Sequence, residues 1–103
     1  MKAIFEKLHT LRKFTGNKGI WNTLNILSEY VSISQGITLK VFYKILNTHS
    51  YYNSFFRAKK PLLKYQIIEI YTPKEETLIR LTPKGQEIYA LLIYIKNKIE
   101  GRP

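Results

Sequence analysis

Apolar residues recur at helical intervals over the first third of the chain. One group lies within residues 1–15 and falls on one face of a helix: Ile4, Phe5, Leu8, Leu11 and Phe14. A second group follows the break at residues 16–19: Ile20, Leu24, Leu27 and Val31. The pattern predicts a short amphipathic helix over residues 1–15 and a second helix from Ile20 to Ser34, with Gly36 as its C-terminal stop.

Two short helices separated by a polar turn are predicted between residues 38 and 63. Thr38 is suited to cap the first, whose apolar positions are Val41, Phe42, Ile45 and Leu46. The turn covers residues 47–50, and Ser50 is the expected N-cap of the next helix, residues 51–63. The buried side of that helix is predicted to consist of Phe55, Ala58 and Leu62. Pro61 is expected to disturb its last turn, because proline lacks an N–H.

The last third of the chain carries strand signals followed by one long helix. Residues 67–72 and 77–82 are β-branched or apolar and flank a turn at residues 73–76, which predicts an antiparallel hairpin. Thr82 followed by Pro83 is typical of a helix start, so residues 83–100 are predicted to be helical. A chain of 103 residues with these elements is predicted to be a single domain. Its expected class is mainly α with a small antiparallel β-hairpin (α+β).

The charge distribution adds a functional expectation. The chain has 17 Lys and Arg against 7 acidic residues, a net charge of +10 and a pI of about 9.9. Between Glu29 and Glu69 it has no carboxylate and six cationic residues: Lys40, Lys44, Arg57, Lys59, Lys60 and Lys64. An acid-free basic stretch of this length is typical of a surface that binds a polyanion.

The same composition argues against a metal site, a cofactor site or an enzyme. The chain has no Cys and no Asp, and its two histidines, His9 and His49, are far apart in the sequence. Zinc sites need clustered thiolates or imidazoles, and magnesium sites need grouped carboxylates. The longest apolar run, from Ile88 to Ile95, is much shorter than the ~20 residues that span a bilayer. With no disulfide possible, the sequence predicts an intracellular protein, in the cytoplasm or in a host cytoplasm if viral.

Two stretches resemble the winged helix-turn-helix DNA-binding superfamily, especially small regulators of the MarR and PadR type, including those of archaeal viruses. They are residues 54–62, SFFRAKKPL, and residues 79–85, IRLTPKG. The similarity runs from about Ile20 to Tyr94, three quarters of the chain. It implies a helix-turn-helix plus wing over residues 20–82, with N- and C-terminal helices extending the core and residues 51–63 as the recognition helix. The sequence departs from many relatives at Gln66, where they have glycine, and at the acidic wing tip, Glu75 and Glu76.

The resemblance implies sequence-specific binding of double-stranded DNA by a transcriptional regulator without enzymatic activity. Arg57 and Asn53 are expected to reach base edges in the major groove, because Arg pairs with guanine and Asn with adenine. Tyr52 and Phe56 are expected to touch thymine methyls or sugars. The remaining cationic residues are assigned to phosphates, together with two residues of the hairpin: Lys40, Lys44, Lys59, Lys60, Lys64, Lys74 and Arg80.

The final helix is apolar nearly all round, with a coiled-coil-like spacing, so a homodimer is expected. The predicted interface comes from the first helix and the last: Phe5, Leu8, Leu11, Ile88, Leu92, Ile95 and Ile99.

Two other partners suit the same basic chain. The first is an acidic protein, which would make this a protein-interaction winged helix in a transcription or replication assembly, with no direct base readout. The second is an anionic membrane surface, contacted by the apolar residues and lysines of the first helix. Gel shifts with random and genomic DNA test the first of these readings, and binding to anionic vesicles tests the second.

Overall fold

The structure is a computed structural model that describes residues 16–33 and 35–101. Within them lie four helices: α1 (Lys18–Ser28), α2 (Leu39–Thr48), α3 (Tyr52–Lys64) and α4 (Pro83–Ile99). Three strands form one antiparallel sheet in the order β1-β3-β2: β1 (Ile37–Thr38), β2 (Ile68–Tyr71) and β3 (Leu78–Leu81). The predicted class, mainly α with a small antiparallel sheet, is confirmed. The helix predicted over residues 1–15, with Phe5, Leu8 and Leu11, lies outside the described residues.

Helix α1 is shorter than predicted. Asn17 caps its start, because the Asn17 side chain accepts a hydrogen bond from the Ile20 N–H at 3.2 Å. The predicted continuation to Ser34 is wrong: after Ser28 the chain forms successive turns in which Tyr30 N–H donates to the Leu27 carbonyl and Ile33 N–H to the Tyr30 carbonyl. Serine and β-branched residues, which are weak helix formers, make up most of this segment.

The turn between α2 and α3 differs from the predicted arrangement. The Thr38 hydroxyl accepts from the Val41 N–H at 3.1 Å, so the predicted cap of α2 is confirmed. Ser50, in contrast, has a left-handed backbone, with φ of 59°. Its N–H donates to the Asn47 carbonyl and the next N–H donates to the Leu46 carbonyl, the two bonds of a Schellman motif. An N-cap residue needs an extended backbone, so the predicted N-cap role of Ser50 is wrong.

Helix α3 continues through Pro61 and ends at Lys64. Proline removes only the hydrogen bond to the Arg57 carbonyl, and the predicted disturbance does not end the helix. A second Schellman motif closes α3: the Gln66 N–H donates to the Leu63 carbonyl at 3.1 Å and the next N–H to the Leu62 carbonyl at 2.9 Å. Gln66 has a φ of 58°, so it adopts the left-handed turn that otherwise favours glycine.

The predicted hairpin is confirmed, with strands β2 and β3 slightly shorter than expected. Their register places Glu69 opposite Arg80 and Ile70 opposite Ile79. Strand β1 was not predicted, because its two residues are too few to show an alternating pattern. It pairs with β3 through Ile37 opposite Ile79. The Leu39 N–H donates to the Thr77 carbonyl at 2.8 Å and thereby joins the start of α2 to the hairpin at the residue that precedes β3.

The core lies between α1, α2, α3 and the inner face of the sheet. Its fully buried side chains include the three predicted on α3 and partners from the other elements: Ile20, Leu24, Phe42, Leu46, Phe55, Ala58, Leu62 and Ile79. The Phe42 and Phe55 rings meet edge to face, with centroids 4.9 Å apart. Helix α1 crosses α3 closely at Gly19, where a Cβ atom would overlap the Ser54 carbonyl group.

Helix α4 begins as predicted and packs against α1. The Thr82 hydroxyl accepts from the Gly85 N–H at 2.9 Å, and Pro83 occupies the first turn. The Tyr89 hydroxyl donates to the Asn25 side-chain oxygen at 2.7 Å across the two helices. No helix within residues 16–33 and 35–101 combines the length and apolar character needed to cross a membrane.

Candidate nucleic-acid interface

The outer surface of α3 consists of two parallel stripes of side chains. Helical geometry places residues four, three and four apart on one line, opposite the buried Phe55, Ala58 and Leu62. The first line, here called the cationic stripe, is Asn53, Arg57, Lys60 and Lys64. The second, here called the aromatic stripe, is Tyr52, Phe56, Lys59 and Leu63. All of these side chains are exposed except Lys59, which is half-buried.

The cationic stripe is free to meet a ligand. Within the described part of the chain, the side chains of Asn53, Arg57 and Lys60 make no hydrogen bond or ion pair. Helices α2 and α3 contain no carboxylate, and Lys40 and Lys44 of α2 are also exposed. The six cations of these two helices, here called the basic face, therefore have no carboxylate beside them on either helix: Lys40, Lys44, Arg57, Lys59, Lys60 and Lys64.

The aromatic stripe is held by Tyr43 of α2, a residue that the sequence pattern does not predict at this surface. The Tyr43 ring centroid lies 5.5 Å from that of Tyr52 and 5.9 Å from that of Phe56. Tyr52 and Phe56 meet edge to face at 4.7 Å. Edge-to-face contacts of this kind fix ring orientation. Only the docking of α2 on α3 brings Tyr43 to this position, and no feature of the sequence indicates it.

Two electrostatic details belong to the same stripe. The Lys59 ammonium lies over the Phe56 ring, 5.7 Å from its centroid, within the range of a cation–π contact. Burial raises the pKa of the Tyr43 phenol above its ordinary value, and the neighbouring Tyr52 phenol adds to that shift. Tyr43 is therefore neutral at neutral pH and adds no negative charge to the basic face.

The hairpin carries the two remaining cations that were assigned to phosphate. Lys74 is exposed at the tip, beside Glu75 and Glu76. Arg80 lies on β3, and its guanidinium donates to the Glu69 carboxylate opposite at 2.7 and 2.9 Å. It also lies 5.4 Å from the Tyr71 ring centroid. The ion pair with Glu69 neutralises the charge of Arg80 and links the two strands of the hairpin. Lys74 is therefore the hairpin cation whose charge remains exposed to solvent.

The predicted dimer residues of α4 divide into two groups. Leu92 belongs to the hydrophobic core of its own subunit and Ile88 packs partly against that core, so Leu92 is a fold residue and not a contact surface. Ile95 and Ile99 are 50% and 80% exposed. Leu91 and Tyr94, which were not selected, are exposed beside them. The solvent-facing apolar surface of α4 is thus Leu91, Tyr94, Ile95 and Ile99.

The described residues contain no group of three or more His, Cys, Asp or Glu side chains placed to hold a metal ion. His49 lies in the turn before α3, where its ring stacks on Tyr51 with centroids 5.4 Å apart. Comparisons with protein-family models, with curated proteins and with solved structures found no match.

Proposed function

We propose that this chain is a winged helix-turn-helix protein that binds double-stranded DNA sequence-specifically as a dimeric transcriptional regulator. The order of its elements supports this proposal: a helix-turn-helix formed by α2 and α3 is followed by a hairpin and then by a further helix. In the family that the sequence resembles, these are the recognition unit, the wing and the C-terminal extension. Helix α3 is the element that enters the major groove.

The observation that carries the proposal is the unpaired cationic stripe on α3. A major groove admits one α-helix, and the side chains on its outer line reach the base edges. Asn53 and Arg57 lie one helical turn apart on that line, where Arg can donate two bonds to guanine and Asn can pair with adenine. The lysines of the basic face flank this line on α2 and α3, where they bind phosphates and position the helix.

The test compares two substitutions on the same stripe. A preferred duplex is first selected from genomic fragments. Arg57→Ala is expected to lower the ratio of specific to random-duplex affinity by roughly 5- to 100-fold, the range for loss of a bidentate base contact. Lys64→Ala is the matched control, since loss of a phosphate contact weakens both duplexes alike. Equal losses on both duplexes for Arg57→Ala would contradict the assignment of α3 as the reading helix.

The exposed apolar surface of α4 supports the dimer. Isoleucine at 80% exposure is unfavourable on a monomer, and burial of Leu91, Ile95 and Ile99 against a second copy removes that apolar area from water. A two-fold axis there would let two α3 helices address half-sites about one DNA turn, ~34 Å, apart.

Sedimentation tests the dimer directly. Ile95→Glu places a charge in the proposed contact and is expected to give a monomer at tens of micromolar protein. Gln86→Glu, on another exposed face of the same helix, adds the same charge and should leave the dimer intact. A wild-type protein that is monomeric at this concentration would remove the dimer from the proposal.

An acidic protein remains the second candidate partner. The observation that favours it is the half-exposed aromatic stripe, since tyrosine and phenylalanine are enriched at protein interfaces. Gel shifts in low salt separate the two functions. Retardation of duplex DNA supports the regulator, and absence of any retardation would leave the protein-interaction role as the better account.

A further inference from the structure

The cationic stripe does not explain why aromatic side chains are exposed on α3. Tyr52 is 38% exposed and Phe56 is 42% exposed, and together with Leu63 at 37% they are the exposed large apolar side chains of α3. Neither ring is loose: Tyr43 supports both, and the two rings contact each other at 4.7 Å. A rigid, apolar, outward-facing pair needs an apolar partner on whatever surface α3 meets.

Base edges in the major groove offer one such partner. Each base pair presents hydrogen-bond donors and acceptors there, and thymine alone among the bases adds an apolar group, its C5-methyl. Phe56 has no polar atom with which to read a donor or acceptor. The apolar contact that Phe56 can make in the groove is therefore with a thymine methyl or with sugar carbons, and only the methyl distinguishes one sequence from another.

Ring geometry argues against the other use of an exposed aromatic, stacking on an unpaired base. Stacking needs an open ring face. One face of Phe56 carries the Lys59 ammonium, and Tyr52, Tyr43 and Phe55 surround the ring with centroids 4.7 to 5.9 Å away. Lys59 and three rings therefore crowd Phe56, and the exposed part of the ring suits a compact methyl group better than a flat base.

We infer that Tyr52 and Phe56 are specificity-determining residues that select thymine through its C5-methyl group. This inference rests on the proposed major-groove binding of α3. The two residues are four apart, so they lie ~6 Å apart along the helix axis. Base pairs are spaced ~3.4 Å apart, so the two methyl groups are expected about two base pairs apart in each half-site.

The experiment replaces thymine by deoxyuridine, which deletes the methyl group and leaves base pairing unchanged. Each thymine of the selected duplex is replaced in turn, and the affinity of the wild-type protein is measured by fluorescence anisotropy. Loss of one buried methyl is expected to weaken binding about fourfold. The effect should appear at one or two positions, about two base pairs apart, and stay within experimental error elsewhere.

A double-mutant cycle assigns the effect to the stripe. The Phe56→Ala protein should bind the thymine duplex more weakly, and its affinity should no longer change when deoxyuridine replaces thymine at one position. Phe56→Leu, which keeps an apolar side chain and the fold, should retain part of the discrimination. Val31→Ala is the matched control, because Val31 is 43% exposed but lies outside α2 and α3, and it should keep the full deoxyuridine effect.

The outcomes separate this inference from the proposed function. Sequence-specific binding with no deoxyuridine effect at any position would refute thymine selection and leave the regulator intact. A deoxyuridine effect that Phe56→Ala preserves unchanged would refute the assignment to Phe56. Tighter binding to single strands than to the duplex would show that the rings stack on bases. No duplex binding in low salt would overturn both the function and the inference.

Discussion

Neutralisation of one lysine of the basic face is expected to change the salt dependence of DNA binding by a defined amount. Each phosphate contact contributes about −0.9 to the slope of log affinity against log salt. Six contacts, made by the five lysines of the basic face and Lys74 of the hairpin, give a slope near −5 per subunit. Raising monovalent salt from 50 to 200 mM should then lower the affinity of each subunit roughly 10³-fold.

Lys60→Gln is the most informative substitution. Lys60 lies in the middle of the outward arc of α3 and has no side-chain partner within the described residues. Removing it should make the slope shallower by about 0.9 per subunit, so the loss of affinity is larger at 50 mM salt than at 200 mM by roughly threefold. Lys96→Gln is the control with the same charge change: Lys96 lies on α4, where its ammonium pairs with Glu100 at 2.8 Å.

Fluorescence anisotropy with a labelled duplex, repeated at four or more salt concentrations, gives both slopes. A wild-type slope shallower than about −2 per subunit would mean that the basic face does not lie along the phosphates. Equal changes in slope for Lys60→Gln and Lys96→Gln would mean that the net charge of the protein, and not the position of Lys60 on α3, determines the salt dependence.

Two further predictions concern the fold that presents α3. Gly19→Ala should lower the free energy of unfolding by ~1–3 kcal/mol, measured by urea denaturation, because the added methyl overlaps the Ser54 carbonyl and forces α1 away from α3; an unchanged or raised midpoint would refute this close crossing. Ser50→Gly should raise the free energy of unfolding by ~0.5–1 kcal/mol. Glycine removes the strain of a serine in the left-handed conformation, and the greater entropy of the unfolded glycine chain cancels only part of that gain. A decrease for Ser50→Gly would show that the serine side chain contributes to the turn.

The buried face of α3 was predictable, and the arrangement around it was not. Phe55, Ala58 and Leu62 repeat at helical spacing, so their burial also fixed Asn53 and Arg57 on the opposite side. Ser50 is a residue type that suits an N-cap, and only the closure of α2 by a Schellman motif turns its backbone left-handed. Tyr43 reaches the aromatic stripe through the docking of two helices, which periodicity along one helix does not encode.

The limits of the pattern are clearest on α4. Apolar residues lie on almost every side of α4. The spacing of four, three and four residues therefore predicts one line of apolar positions, but it does not show which of the neighbouring residues face the core. The structure places Leu92 inside its own subunit and leaves Leu91 and Tyr94 outside. That choice depends on the contact with α1, through Tyr89 and Asn25, which are distant in sequence.

The turns on both sides of α3 are closed by main-chain atoms. The motif at Ser50 ends α2 and the motif at Gln66 ends α3, and both use backbone N–H and carbonyl groups only, so the outward side chains of α3 take no part in either turn. Residues 53, 57, 60 and 64 are consequently interchangeable without disturbing their support. A library varied at these four positions alone should yield folded proteins with altered base preferences, which makes this small chain a suitable framework for retargeting.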